Sequence, residues 1–138
     1  MLIRVIYVSQ ATQPFDTSNL DALLALSRRN NEIRGITGML LYHEGDFVQI
    51  LEGEEEAVRE IYGRIVRDSR HARIILIDDS PVSEREFGDW SMGFVRLDDS
   101  EIPPGYVDFF NRTLDPSSLA GRAREALEFL RTARKEAR

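Results

Sequence analysis

The first strand-like run of this chain is apolar on both of its sides. Over Leu2 to Ser9 the alternation of a β-strand puts Ile3, Val5 and Tyr7 on one face and Leu2, Ile6 and Val8 on the other. Such a strand is stable only inside a sheet covered twice, so the rest of the chain must supply two layers around it. At 138 residues the chain is long enough to do so within one domain.

The periodicities that follow show how. Ser18 and Asp21 have the spacing of a capping box, with Asp in place of Glu. Leu20, Leu23, Leu24 and Ser27 then share a helical face, which predicts a first helix to about Asn30. Ile36 to His43 is almost continuously apolar and reads as a strand, His43-Glu44-Gly45-Asp46 as a hairpin turn, and Asp46 to Glu52 as the next strand. Three glutamates after Gly53 suit a helix N-terminus. Val58, Ile61, Tyr62 and Ile65 repeat at helical spacing, so a second helix is expected to end near Arg70, with Arg67 and Arg70 in its last turn. Ala72 to Asp78 is a fourth strand, Pro81 to Asp89 a polar connection and Trp90 to Leu97 a fifth strand.

This order is β-α-β-β-α-β-β, and its first six elements match the split βαβ plan. The fold class expected is therefore α+β and ferredoxin-like, with a five-stranded mixed sheet and two helices on one face. Beyond an acidic, Pro-containing break come a short element around Tyr106 to Asn111 and a helix from about Ser117 to Glu136, with Leu119, Ala123, Ala126, Leu127, Leu130 and Ala133 as its apolar stripe. These additional C-terminal helices are expected to cover the second face, within the chain or across a dimer interface. Residues 1–97 then form the main domain, and 98–138 a C-terminal helical extension.

Composition narrows the chemistry. The net charge of −6 lacks the basic excess of a nucleic-acid binder, so no direct nucleic-acid partner is expected. No apolar run is long enough to span a bilayer and no basic n-region opens the chain, so a cytoplasmic protein with no membrane partner is expected. There is no cysteine, which excludes disulfides and thiolate nucleophiles, and two histidines make a multi-histidine metal site unexpected.

Some polar side chains fall on apolar faces. Phe47, Gln49 and Leu51 point the same way along the third strand, so Gln49 enters the core. A buried amide without partners costs about 1–3 kcal/mol, and a glutamine amide both donates and accepts. Tyr7, on the adjacent first strand, needs a partner for its hydroxyl. Asn30 and Asn31, at the expected end of the first helix, can aim amides at the same space. Taken singly, each residue has a plainer reading. Tyr7 is then a core tyrosine and Gln49 an edge-strand residue. Asn30 and Asn31 are helix C-caps, Trp90 and Met92 core fillers, and Asp68, Arg70 and His71 a solvated helix end.

Taken together, the motifs closely resemble the BLUF family, sensors of blue light using flavin. The matching stretches are Ile6-Tyr7-Val8-Ser9, Arg29-Asn30-Asn31, Gly35-Ile36-Thr37-Gly38-Met39-Leu40-Leu41-Tyr42, Gly45 through Gly53, Asp68-Ser69-Arg70-His71, and Phe87 through Phe94. The resemblance runs from Leu2 to Leu97. It implies a non-covalently held flavin between the first two helices, FAD first, with FMN and riboflavin as alternatives. The lack of cysteine rules out cysteine-adduct flavin photochemistry.

By the same resemblance, Tyr7 is the light-driven electron and proton donor, and Gln49 the amide between it and the flavin. Asn31, with Asn30 beside it, bonds the flavin's polar edge. Trp90 and Met92 are strand-five residues that sense Gln49. Arg64, Asp68, Arg70 and His71 lie near the ribityl and phosphate end. A short member of this kind is expected to be no enzyme, to signal to a separate downstream protein, and to form a homodimer or larger homo-oligomer. The alternative within the fold is a light-insensitive flavin or small-ligand module. An acylphosphatase-like hydrolase would need an arginine in the loop after the first strand, where this chain has Gln10-Ala11-Thr12-Gln13.

Overall fold

A computed structural model of the protein describes residues 1–12, 17–88, 90–96, 109 and 122–134. The elements are β1 (Leu2–Ala11), α1 (Thr17–Arg34), β2 (Thr37–His43), β3 (Asp46–Glu54), α2 (Glu55–Arg67), β4 (His71–Pro81), β5 (Gly93–Arg96) and α3 (Arg122–Arg134). The sheet order is β4-β1-β3-β2-β5, with only the β2–β5 pair parallel among the described strands. This is the expected ferredoxin-like mixed sheet.

The two-sided strand is covered as its sequence demands. On one face Ile3, Val5, Tyr7, Leu40, Phe47 and Leu51 pack with Leu24 of α1 and with Val58 and Ile61 of α2. On the other face Ile6, Val8, Met39, Val48 and Ile50 pack with Phe87, Phe109 and Ala126, Leu127 and Leu130 of α3. The second layer comes from the same chain. Each fully buried aliphatic side chain contributes about 1.5–3 kcal/mol, so both layers are needed to offset the backbone ordering. No helix among the described residues is long and apolar enough to cross a membrane.

Element ends differ from expectation in instructive ways. The first helix runs four residues past Asn30, to Arg34, and Gly35 ends it at φ +69, the left-handed conformation favoured at a helix stop. Asn30 and Asn31 are therefore inside the last turns and are not C-caps. The second helix stops at Arg67, because Asp68 turns back to accept the Arg70 backbone N–H at 2.9 Å. Arg70 thus lies in a turn rather than in the helix. The fourth strand is longer than expected, reaching Pro81.

The fifth strand begins only at Gly93, so Trp90 and Met92 lie in the segment leading into it. A side chain at position 93 would meet the Trp90 ring at 2.2 Å and Met39 Sδ at 2.7 Å, so only glycine lets the tryptophan fold under the strand. The expected element at 106–111 is described only at Phe109, and the ends of the expected 117–136 helix lie outside the described residues.

Candidate functional site

The register of β1 against β3 sets Tyr7 directly opposite Gln49. Both side chains point to the α1/α2 face, where they form the floor of a cleft between the two helices. Gln49 is buried, 7% exposed, on a strand inside the sheet. The Tyr7 hydroxyl donates to Gln49 Oε1. Gln49 Nε2 donates to Met92 Sδ at 3.3 Å. The amide therefore spans a phenol on one strand and a thioether on the segment before β5. Its two ends are not equivalent: the oxygen needs a donor, which the phenol supplies, and the sulfur can only accept. Reversing the amide would set its oxygen against the sulfur.

Burial pushes the Tyr7 phenol well above the ordinary tyrosine range, with smaller contributions from Tyr62 and the Asp68 charge. The phenol is held neutral, and its proton is committed to Gln49. The Tyr62 ring lies beside it, centroids 5.6 Å apart. Extended α1 brings Asn31 over the cleft. Its Nδ2 donates to the Ser91 carbonyl at 2.8 Å, and Arg28 one turn earlier donates to the Met92 carbonyl at 3.0 Å. The helix thus holds the backbone that delivers Met92.

The cleft is lined by Leu23, Leu24, Ser27, Ile61 and Ile65 on its helical walls, and by Leu40, Phe47 and Leu51 with Tyr7 and Gln49 on its floor. Arg64, Asp68, Arg70 and His71 also line it. Asp68 and Arg70 pair at 2.6 Å, and the Arg70 guanidinium draws the Asp68 carboxyl down to about 2. Burial lowers the His71 imidazole, with Asp68 opposing and Arg70 adding to the shift. Its Nδ1 lies 2.9 Å from the buried Ser9 hydroxyl. Arg64 reaches Glu60 at 2.9 Å from the rim.

Of the residues singled out from sequence, nine meet at this cleft: Tyr7, Asn30, Asn31, Gln49, Arg64, Asp68, Arg70, His71 and Met92. Trp90 does not. It packs against the opposite core, with Phe87 and the α3 residues. The reason is local: a single residue, Ser91, separates Trp90 from Met92, but a bend rather than a strand joins them, so they part to opposite faces. Sequence reasoning missed Arg28 and Ser9. Arg28 carried no signal, since a basic residue on a helix is ordinarily solvated. Ser9 gave one, a hydroxyl in an apolar strand.

A family model described as sensors of blue-light using FAD, BLUF, matches residues 2–93. The chain is 37% identical over 92 residues to the photoactivated adenylate cyclase subunit beta of Euglena longa, covering 66% of this chain and 11% of that protein. It is 32% identical over 134 residues to the blue light- and temperature-regulated antirepressor BluF of Escherichia coli (strain K12), covering 96% of this chain and 32% of that protein. Among solved structures it resembles the BLUF protein BlrB in its dark state, with a TM-score of 0.72, 29% identity, and coverage of 91% of this chain and 94% of that one. The photo-activated state of BlsA gives a TM-score of 0.69 at 30% identity, covering 94% of each chain. The chain thus spans a small part of the cyclase subunit and nearly all of BlrB and BlsA.

Proposed function

The chain belongs to the BLUF family, the sensors of blue light using FAD, and from that premise we propose that its Gln49 amide is the switch a flavin in the α1/α2 cleft throws on illumination. The observation that carries this reading is the single amide joining the Tyr7 phenol to the Met92 thioether at the cleft floor. The residues fit the cofactor. Leu23, Leu24, Ile61 and Ile65 offer apolar walls to a flat ring, Asn31, Asn30 and Gln49 offer polar groups to its edge, and Arg64, Arg70 and His71 offer cationic or donor groups towards a phosphate-bearing tail. FAD is the flavin of the family.

When bound, the flavin supplies blue-light absorption and an excited electron acceptor. The protein supplies the rest. Tyr7 is the buried donor, its phenol held neutral by burial. A phenol that gives up an electron becomes a strong acid, and its proton leaves along the existing O–H···O contact to Gln49. On return of the electron and proton the amide has two arrangements to settle in. In one, Nε2 donates to Met92 Sδ; in the other, it faces Tyr7 Oη and the sulfur loses its donor. Light shifts the population between them. The backbone of residues 91–92, tied to Asn31 and Arg28, then registers which arrangement holds.

Met92 is the sensing residue on this reading, with Trp90 a reporter on the opposite face. Residues 1–97 are the sensor and 98–138 the output, signalling to a separate partner protein as a homo-oligomer in the cytoplasm, with no reaction on a diffusing substrate. The test is a visible spectrum of flavin-loaded protein before and after blue light. A reversible red shift in the wild type, absent from Tyr7→Phe and Gln49→Leu with flavin retained, supports the reading. A normal shift in both variants refutes it.

A further inference from the structure

A buried acid that the photoswitch does not use lies three residues beyond Gln49. Glu52 is 1% exposed, and the alternation of β3 turns it to the face opposite the cleft. A carboxyl group so placed must have its acceptor capacity filled. Its Oε2 accepts the Glu86 backbone N–H at 2.5 Å, and its Oε1 accepts the Phe87 N–H at 2.8 Å and the Thr37 hydroxyl at 3.2 Å. Arg85 closes the arrangement, donating to the Glu52 carbonyl at 3.1 Å and to Thr37 Oγ1 at 3.0 Å. One side chain thus fixes two successive amides of the turn that opens the segment to β5.

That segment is the one that delivers Met92. From the clamp it proceeds by backbone bonds: Trp90 N–H to the Phe87 carbonyl at 3.0 Å, then Gly38 N–H to the Trp90 carbonyl at 3.1 Å. It ends at the Ser91 and Met92 carbonyls held by Asn31 and Arg28. Both ends are therefore tied to the sheet and helix that build the cleft. The Asn31 and Arg28 end faces the switch. The Glu52 end is on the other side of the sheet, out of reach of any cleft ligand. We infer that Glu52 is a positioning residue for the photoswitch, a fixed pivot that holds the backbone at Glu86 and Phe87 so that Met92 Sδ meets the Gln49 amide.

The inference rests on the switch described above, and the test separates the two. Glu52→Gln keeps size but replaces one acceptor oxygen by an amide NH2, which can only donate. That NH2 faces either the Glu86 N–H or the Phe87 N–H, donor against donor. Flavin-loaded Glu52→Gln is compared with wild type by the Met92 methyl resonance in the dark and by the rate of dark recovery. The protein has three methionines, so Met92→Leu assigns the signal. The expected result is a second Met92 resonance in the dark and recovery slowed about tenfold, the scale of one lost charge-assisted hydrogen bond, because re-seating Met92 no longer has a fixed pivot. Arg85→Ala, which loosens the same turn from the surface, is expected to act in the same direction more weakly, and it decides the matter if Glu52→Gln does not fold. A single Met92 resonance with recovery within about twofold of wild type, even with a lowered melting temperature, overturns the inference. If the wild type shows no light-induced shift, the switch fails, while the dark Met92 resonance still decides the pivot.

Discussion

The Tyr7–Gln49 contact yields a prediction that needs no light. Tyr7 is 1% exposed and Gln49 7%, so neither group can turn to water when its partner is removed. Tyr7→Phe strands the Gln49 oxygen, and Gln49→Leu strands the phenol. Each is expected to cost about 1–3 kcal/mol, the desolvation penalty of an unsatisfied buried group. Gln49→Leu also leaves Met92 Sδ without its donor, but a sulfur acceptor is weak and adds little. In the double variant both polar groups are gone, and Phe and Leu meet on a face already built of Phe47 and Leu51. The double variant should therefore be less destabilised than the sum of the two by about 1–2 kcal/mol. Urea unfolding at fixed, saturating flavin measures the cycle, holding constant the stabilisation that ligand binding adds. For a domain of this size each kcal/mol is also about 3 °C in melting temperature. Additive costs, within about 0.5 kcal/mol, would mean that the phenol and the amide do not bond.

Other expectations follow from the same geometry. Asn31→Ala removes the donor to the Ser91 carbonyl and a polar group at the cleft, so flavin affinity should fall by about tenfold or more, read by fluorescence titration. The His71 imidazole is held below its ordinary value near 6.5 by burial, so it binds fewer protons folded than unfolded just below that value. Its stabilising contribution is complete above the unfolded value and is lost as pH falls towards the folded one. Melting temperature should therefore decline as pH falls below about 6.5, and less steeply in His71→Asn. Met92→Leu keeps the volume and removes the sulfur, so stability should change by less than about 1.5 kcal/mol while the rate of dark recovery changes.

The architecture was legible because periodicity speaks for faces. Leu2 to Ser9 announced a sheet covered twice, and the amide of Gln49 between Phe47 and Leu51 announced a polar group in a core. Boundaries were less legible, because they depend on contacts distant in sequence. The first helix passes Asn30 and stops only at Gly35, which sets Asn30 and Asn31 inside the helix and at the cleft. Trp90 read as a strand residue beside Met92, yet the Gly38 bond to its carbonyl and the space at Gly93 send its ring to the other face. Arg28 and Glu52 were silent for a similar reason. A charged side chain in a helix or at a strand end looks solvated until the 85–92 segment folds over it.

The claim at the centre is that the Gln49 amide changes partners between Tyr7 and Met92. A light-minus-dark infrared difference spectrum of flavin-loaded protein, with and without isotope-labelled glutamine side chains, addresses it directly, and Gln49→Leu assigns the bands. The account predicts amide bands that move with the label and vanish in Gln49→Leu. A difference spectrum untouched by the label, in protein that still shows its reversible visible shift, would contradict it.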